Sequence, residues 1–334
     1  MYLAGCLTQV TTTGSVFGVK ATAKNPHPRT FEEFLGWFSS EEDCVKYLEW
    51  IRWPEGFACP GCGGSKAWRT ERGLWHCGAC GHQSSPTAGT VFEDSRKPLR
   101  LWFHVMWLMM AQKTGLSARN LCDTHGFGSY QTAWGWLSKL RSVMVCAGRE
   151  PLRGRVEVDE AYVGGQKEGA RGRGAEGKTA VLVAVEGQAK MKLGRVRFRC
   201  VKAITRTSVE RFIADHVEPG AVVVTDGLPV YHHLGAAGFE HRPHVLTAGG
   251  EQARQELDHV HLVISLLKRW LGGTHQGAVT PSHLQAYLDE FSFRFNRRLS
   301  QHRGKLFHRL MQQAVTRRPP AVKALYVPKP QPVG

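Results

Sequence analysis

Two Cys-x-x-Cys pairs, Cys59/Cys62 and Cys77/Cys80, stand fourteen residues apart, and no other feature narrows the fold so sharply. Each pair sits on a knuckle that contains glycine, Cys59-Pro60-Gly61-Cys62 and Cys77-Gly78-Ala79-Cys80, so four thiolates can meet at the corners of a tetrahedron. Zn²⁺ accepts that arrangement without geometric penalty, and a closed four-cysteine site contributes folding energy rather than catalysis. Ala67-Trp68-Arg69 and Gly73-Leu74-Trp75-His76 then read as strands of a zinc ribbon. Nine cysteines without a signal-peptide pattern point to metal and free thiols in a reducing compartment. No apolar run approaches the roughly 20 residues that span a bilayer, so the expectation is a cytoplasmic protein with no membrane partner.

Around the ribbon the chain divides by pattern. Residues 1–27 carry no periodicity and read as a disordered arm. Phe31, Phe34, Leu35 and Phe38, then Val45, Leu48 and Ile51, fall at helical spacing, so residues 28–92 join two short helices to the ribbon. Over 93–148 the pattern is again helical, with Leu101, Val105, Leu108 and Met109 on one face. Ser117 can cap a further helix, Gly126-Phe127-Gly128 supplies a turn, and Ser129 can cap another that carries Gln131, Trp134, Trp136, Lys139 and Arg141. This spacing suits a helix-turn-helix, which would lay Gln131, Lys139 and Arg141 against DNA; it suits equally a helical hairpin whose tryptophans are core. A formal charge of +16, from 44 Lys+Arg against 28 Asp+Glu spread along the chain, favours a polyanion such as nucleic acid. The glycine-basic stretch 166–178 reads as a loop, either a solvated turn or a phosphate contact, and 318–334 as a proline-rich tail.

Residues 149–317 alternate strands and helices. Val156–Val163, Ala180–Val185 and Arg195–Val201 read as three strands joined by short turns. A helix over Ser208–Val217 leads into the apolar strand Ala221–Thr225, which ends at Asp226; a later helix runs from about Asp258 to Leu271. Three strands, then helix, strand and helix, is the order of an RNase H-like domain with a mixed five-stranded sheet. There Asp159, midway along the central strand, converges with Asp226 at the end of its neighbour. Two carboxylates held so close repel, and the remedy is a divalent cation; hard oxygen ligands favour Mg²⁺ or Mn²⁺, as a pair of ions suited to displacement at phosphorus. An aspartate within an apolar strand would otherwise be costly.

Taken as an ordered set, these motifs resemble a known family. The zinc ribbon, the helix-turn-helix, Val158-Asp159-Glu160-Ala161-Tyr162-Val163-Gly164-Gly165, Thr225-Asp226-Gly227, Ser265-Leu266-Leu267-Lys268-Arg269-Trp270 and the helix Tyr287–Arg298 look like the zinc-ribbon insertion-sequence transposases of the ISXO type. The resemblance implies DDE chemistry, in which water activated by divalent metal frees the 3′ ends of an element and those hydroxyls attack target DNA. It makes Asp159 and Asp226 the first two metal ligands. The family's third ligand is a glutamate seven residues before a lysine; counting back from Lys268, that place holds His261. His261 is therefore the expected third ligand, with Asp258 and Glu256 as alternatives on the same segment. Lys268, Arg269, Arg297 and Arg298 are expected against the DNA backbone. Double-stranded DNA is the implied partner, at the element's inverted repeats and at the target, and holding two ends together implies a homodimer or larger assembly on the bacterial nucleoid. The missing glutamate keeps open a DNA-binding protein that no longer cuts, and the same fold also admits an RNase H-like nuclease that cuts without joining.

Overall fold

The computed structural model describes residues 20–146, 148–164, 178–188, 192–244, 257–276 and 279–319. The chain forms two units, one of residues 1–148 and 299–334, the other of residues 149–298.

In the first unit, α1 (Phe31–Trp37) begins at Thr30, whose hydroxyl accepts from the Glu33 amide, and α2 (Glu41–Arg52) begins with a reciprocal capping box between Ser40 and Asp43. The ribbon follows as an antiparallel sheet of β1 (Ala67–Arg69), β2 (Trp75–Cys77) and β3 (Gln83–Ser84). Next come α3 (Leu99–Ala111), α4 (Ala118–His125) and α5 (Tyr130–Ser142). Ser117 caps α4 through the Asn120 amide, and Gly126 ends it in the left-handed region at φ 61°. Ser129 holds the N-cap place of α5 but makes no side-chain cap bond. Residues 20–27, expected within a disordered arm, are anchored at three points: Ala21 and His27 are buried and the Pro26 carbonyl accepts from the Tyr47 hydroxyl.

In the second unit, β4 (Arg155–Val163), β5 (Thr179–Gln188) and β6 (Lys192–Val201) form an antiparallel meander. The chain crosses through α6 (Arg206–His216) into β7 (Val222–Thr225), which pairs parallel with β4, and β8 (Glu240–Pro243) pairs parallel with β7. The sheet order β6-β5-β4-β7-β8 is the mixed five-stranded arrangement expected of an RNase H-like domain. α7 (Asp258–His275) and α8 (Pro281–Phe295) complete the unit.

Strand alternation assigns the two faces of this sheet. Ala161, Val163, Val183, Val185 and Val224 pack with the apolar stripes of α7 and α8, while Val156, Val158, Leu182, Ala184 and Val223 pack with α6, Tyr231 and Leu234. β8 is an edge strand of polar residues that ends in Pro243, chemistry that suits an edge and hides a strand from hydropathy. The opposite edge is covered differently. Gln285 and Asn296 accept from the amides of Cys200 and Val196, and Arg298 donates to the Leu193 and Gly194 carbonyls of β6.

The last helix, α9 (Arg303–Thr316), corrects the expected extent of the second unit, since it belongs to the first. Its apolar face carries Phe307 into the rings of Phe34, Phe38, Tyr47, Phe103 and Trp107. At its start Gly304 lies so close to the Pro28 carbonyl that a Cβ would overlap it. His308 lies 2.9 Å from the Tyr47 hydroxyl, and burial pushes its imidazole down to about 3. The unfolded chain takes up that proton near pH 6.5 and the folded one only near pH 3, so stability is held above pH 6.5 and lost as pH falls through this window. Thermal melts of the first unit between pH 7 and pH 4 should show this decline, and His308→Gln should flatten it. Among the described residues no helix is long and apolar enough to cross a membrane.

Candidate functional site

The ladder between β4 and β7 runs only from Arg155↔Val222 to Glu157↔Val224, after which β7 stops at Thr225. Beyond that point one edge of β4 is open, and Asp226, two residues past Val224, comes level with Asp159. Asp226 holds its own turn: its Oδ1 accepts from the Leu228 amide at 3.2 Å, and Gly227 takes φ 76°. Asp159 accepts from the Glu160 amide at 2.8 Å. The structure adds a residue that sequence reasoning passed over. Carboxylate oxygens of Asp159, Glu160 and Asp226 all lie within 4.8 Å of one another.

Neighbours on a strand point to opposite faces, so Asp159 and Glu160 would ordinarily be kept apart by the sheet. They meet because the departure of β7 leaves the edge of β4 uncovered, and both side chains reach the gap. Glu160 is aimed by the hydroxyl of fully buried Tyr231, which donates to its Oε2 at 3.0 Å. Burial, followed by the nearby acids, raises the Tyr231 phenol far above its ordinary value, so that it stays a donor. Three carboxylate charges this close repel one another unless a cation joins them, and their donor set is all hard oxygen. The residues present therefore fit a divalent ion of the Mg²⁺ or Mn²⁺ kind.

His261 reaches the same place from α7, with Nε2 at 3.3 Å from Asp159 Oδ2 and its side chain 55% exposed. The hydrogen bond to Asp159 raises its imidazole pKa against the opposing effect of burial. Asp258 is the first residue of α7 and is half-buried; Glu256 lies outside the described residues. Lys268 and Arg269 are exposed further along α7, Lys268 about 10 Å beyond His261 by helical rise.

Other expected DNA contacts divide. Gln131 is exposed with Tyr130 and Thr132 in the first turn of α5, and Lys139 is half-buried. Arg141 is a correction: it is 2% exposed and donates to the Leu116 carbonyl, so the fold consumes its guanidinium. Trp134 and Trp136 are core, the latter stacked on Trp102 at 3.5 Å between ring centroids. Arg298 is tied to the edge of β6, which corrects its assignment to the DNA backbone, and Arg297 is half-buried over the Phe293 ring at 4.0 Å. The glycine-basic stretch lies outside the described residues apart from Lys178.

The second cluster is the ribbon's. The sulfurs of Cys59, Cys62, Cys77 and Cys80 all lie within 4.8 Å of one another, and the Cys59–Cys80 and Cys62–Cys77 pairs stand 3.6 Å apart. Four sulfurs about 2.3 Å from one Zn²⁺ in a tetrahedron would be about 3.8 Å apart, so the cage fits structural zinc. Each knuckle closes through a turn whose glycine amide donates back to the first cysteine's carbonyl, Gly63 to Cys59 and Gly81 to Cys77, at φ of 75° and 74°. Trp53, Phe57 and Trp75 pack on Cys59 and Cys77.

Comparison with known proteins matches both regions of the chain. Residues 151–296 match the ISXO2-like transposase domain, and residues 39–83 match the transposase zinc-ribbon domain. A protein of Halobacterium salinarum described as an uncharacterized protein in transposable element ISH50 is 31% identical over 281 residues, covering 77% of this chain and 91% of that one.

Proposed function

The chain belongs to the zinc-ribbon, ISXO2-like transposase family, and from that premise we propose that it cuts DNA at the inverted repeats of an insertion sequence and joins the freed ends to target DNA. The meeting of Asp159, Glu160 and Asp226 within 4.8 Å, at the edge where β7 leaves β4, carries this reading. In it Asp159 and Asp226 are the first two ligands for Mg²⁺ or Mn²⁺, Glu160 completes an oxygen set, and His261 adds an imidazole from the helix that would otherwise bring a glutamate. A pair of ions held there would supply activation of the attacking oxygen and stabilisation of the leaving one during in-line displacement at phosphorus.

The chain's own groups set the substrate. Exposed Lys268 and Arg269 contact the phosphates beside the cut, and the first turn of α5, with Gln131, reads the repeat from the major groove. The charge of +16 strengthens every such contact at low salt. Two ends must be held at once, so the active form is a homodimer or larger assembly on DNA, working in the cytoplasm. One observation favours a second reading, a DNA-binding protein that does not cut: an imidazole stands at 261, where the family pattern has a carboxylate.

Incubation with end DNA and Mg²⁺ or Mn²⁺ separates the two. We expect metal-dependent release of 3′-hydroxyl ends followed by strand-transfer products. Tight, salt-sensitive binding with no cut in either metal would leave only the second reading, and cutting without joining would make the protein a nuclease.

A further inference from the structure

Two residues before Asp159, on the same face of β4, stands a carboxylate that the cleavage chemistry does not use. Glu157 is 1% exposed, and such a charge is tolerated only where hydrogen bonds replace water. Both of its oxygens are engaged by one segment. Oε2 accepts from the Val260 amide at 3.0 Å and Oε1 lies 2.7 Å from His259 Nδ1, with Arg155 Nε on the same strand face at 3.9 Å.

Val260 is the third residue of α7, where an amide has no partner inside the helix. The helix supplies no cap of its own, because its N-cap residue is Leu257 and no side chain there makes a cap bond. Glu157 therefore caps α7 from the central strand, and its charge complements the positive end of the helix dipole. The contact with Nδ1 also orients His259, whose Nε2 is buried and without a hydrogen-bond partner among the described residues.

The next residue after Val260 is His261, held at 3.3 Å from Asp159. Two anchors thus join β4 to the start of α7, Glu157 to residues 259 and 260 and Asp159 to residue 261. We infer that Glu157 is a positioning residue of the proposed cleavage site, fixing the first turn of α7 so that His261 stands over Asp159; this rests on the reading of that site given above. Asp159, Glu160 and Asp226 converge without any residue of α7, so loss of the clamp would release the helix side of the site and spare the strand side.

The test compares the wild type with Glu157→Gln, which keeps volume and one acceptor, and with Glu157→Ala. We expect Glu157→Gln to cut end DNA about 10- to 100-fold more slowly at saturating DNA and metal, with KM for DNA unchanged, and to bind Mn²⁺ about tenfold or more weakly by calorimetry. The Val260 amide, whose partner is the Glu157 carboxylate, should exchange with solvent at least about tenfold faster in Glu157→Ala, while that of Val183 on β5 keeps its protection. If Glu157→Ala does not fold, Glu157→Gln carries the test alone. Wild-type cleavage and Mn²⁺ affinity in Glu157→Gln would overturn the inference, as would a Glu157→Gln variant that merely melts lower and cuts normally below its melting range. Should the wild type itself not cut, the reading of the site fails separately, and Mn²⁺ affinity with Val260 exchange still decides the clamp: unchanged values overturn it and lowered affinity with faster exchange supports it.

Discussion

With Asp226→Asn or Asp159→Asn in place, cleavage of end DNA is expected to fall by about 10³-fold or more, while the melting temperature of the metal-free Asp226→Asn protein holds steady or rises. A ligand carboxylate contributes charge that stabilises a divalent ion, and such an ion supplies several kcal/mol of transition-state stabilisation; about 4 kcal/mol corresponds to about 10³ in rate. Stability moves the other way for the same electrostatic reason. Asp159, Glu160 and Asp226 crowd their oxygens within 4.8 Å, and in the absence of a cation an amide of the same shape removes one repelling charge. Glu160→Gln should behave as the aspartate variants do if Glu160 is a ligand, and should cut normally if it is a bystander. Single-turnover cleavage with Mg²⁺, read beside calorimetric melts without metal, measures both effects. An Asp226→Asn protein that cuts at the wild-type rate would remove the proposed site altogether.

Stripping zinc, or replacing Cys77 with serine, should unfold the ribbon and leave the second unit standing. Zinc binding to small sites of this kind contributes on the order of 10 kcal/mol at neutral pH, more than a three-stranded sheet of strands two and three residues long could supply by packing. Trp75, Trp53 and Phe57 lie against Cys59 and Cys77, so their burial depends on the cage. A chelator should shift the emission of these tryptophans to longer wavelength and abolish binding to end DNA, while amide protection across Val181–Val185 persists. Emission and DNA affinity that survive complete removal of zinc would contradict a structural metal.

Much of this was legible because the residues concerned tolerate few alternatives. Cysteine pairs at a fixed spacing admit one closed geometry, and an aspartate inside an apolar strand needs a reason. Glu160 was hidden by the same alternation rule that located the strand, since a residue next to Asp159 is assigned to the opposite face; only the early end of β7 lets both acids meet. Glu157 gave no sign either, because its role depends on a helix 103 residues away at Val260. Arg141 misled in the opposite sense: basic residues on a recognition helix suggest DNA, yet burial and a backbone carbonyl claim this one. β8, the fifth strand, goes unplaced because Glu240, His241, Arg242 and Pro243 carry no apolar face. The stripe of α9 would serve either unit, and nothing local reveals that Phe307 inserts among rings from residues 34 to 107.

That return of α9 has a consequence for synthesis. The ribosome makes the helices that surround Phe34 and Phe103 first, then the whole second unit, and only afterwards the segment that fills their shared core with Leu306, Phe307, Leu310 and Met311. The second unit can therefore mature on the nascent chain while the earlier-made half still waits for its closing wedge. A message truncated after Arg298 would yield Asp159, Glu160 and Asp226 attached to a first unit unable to consolidate.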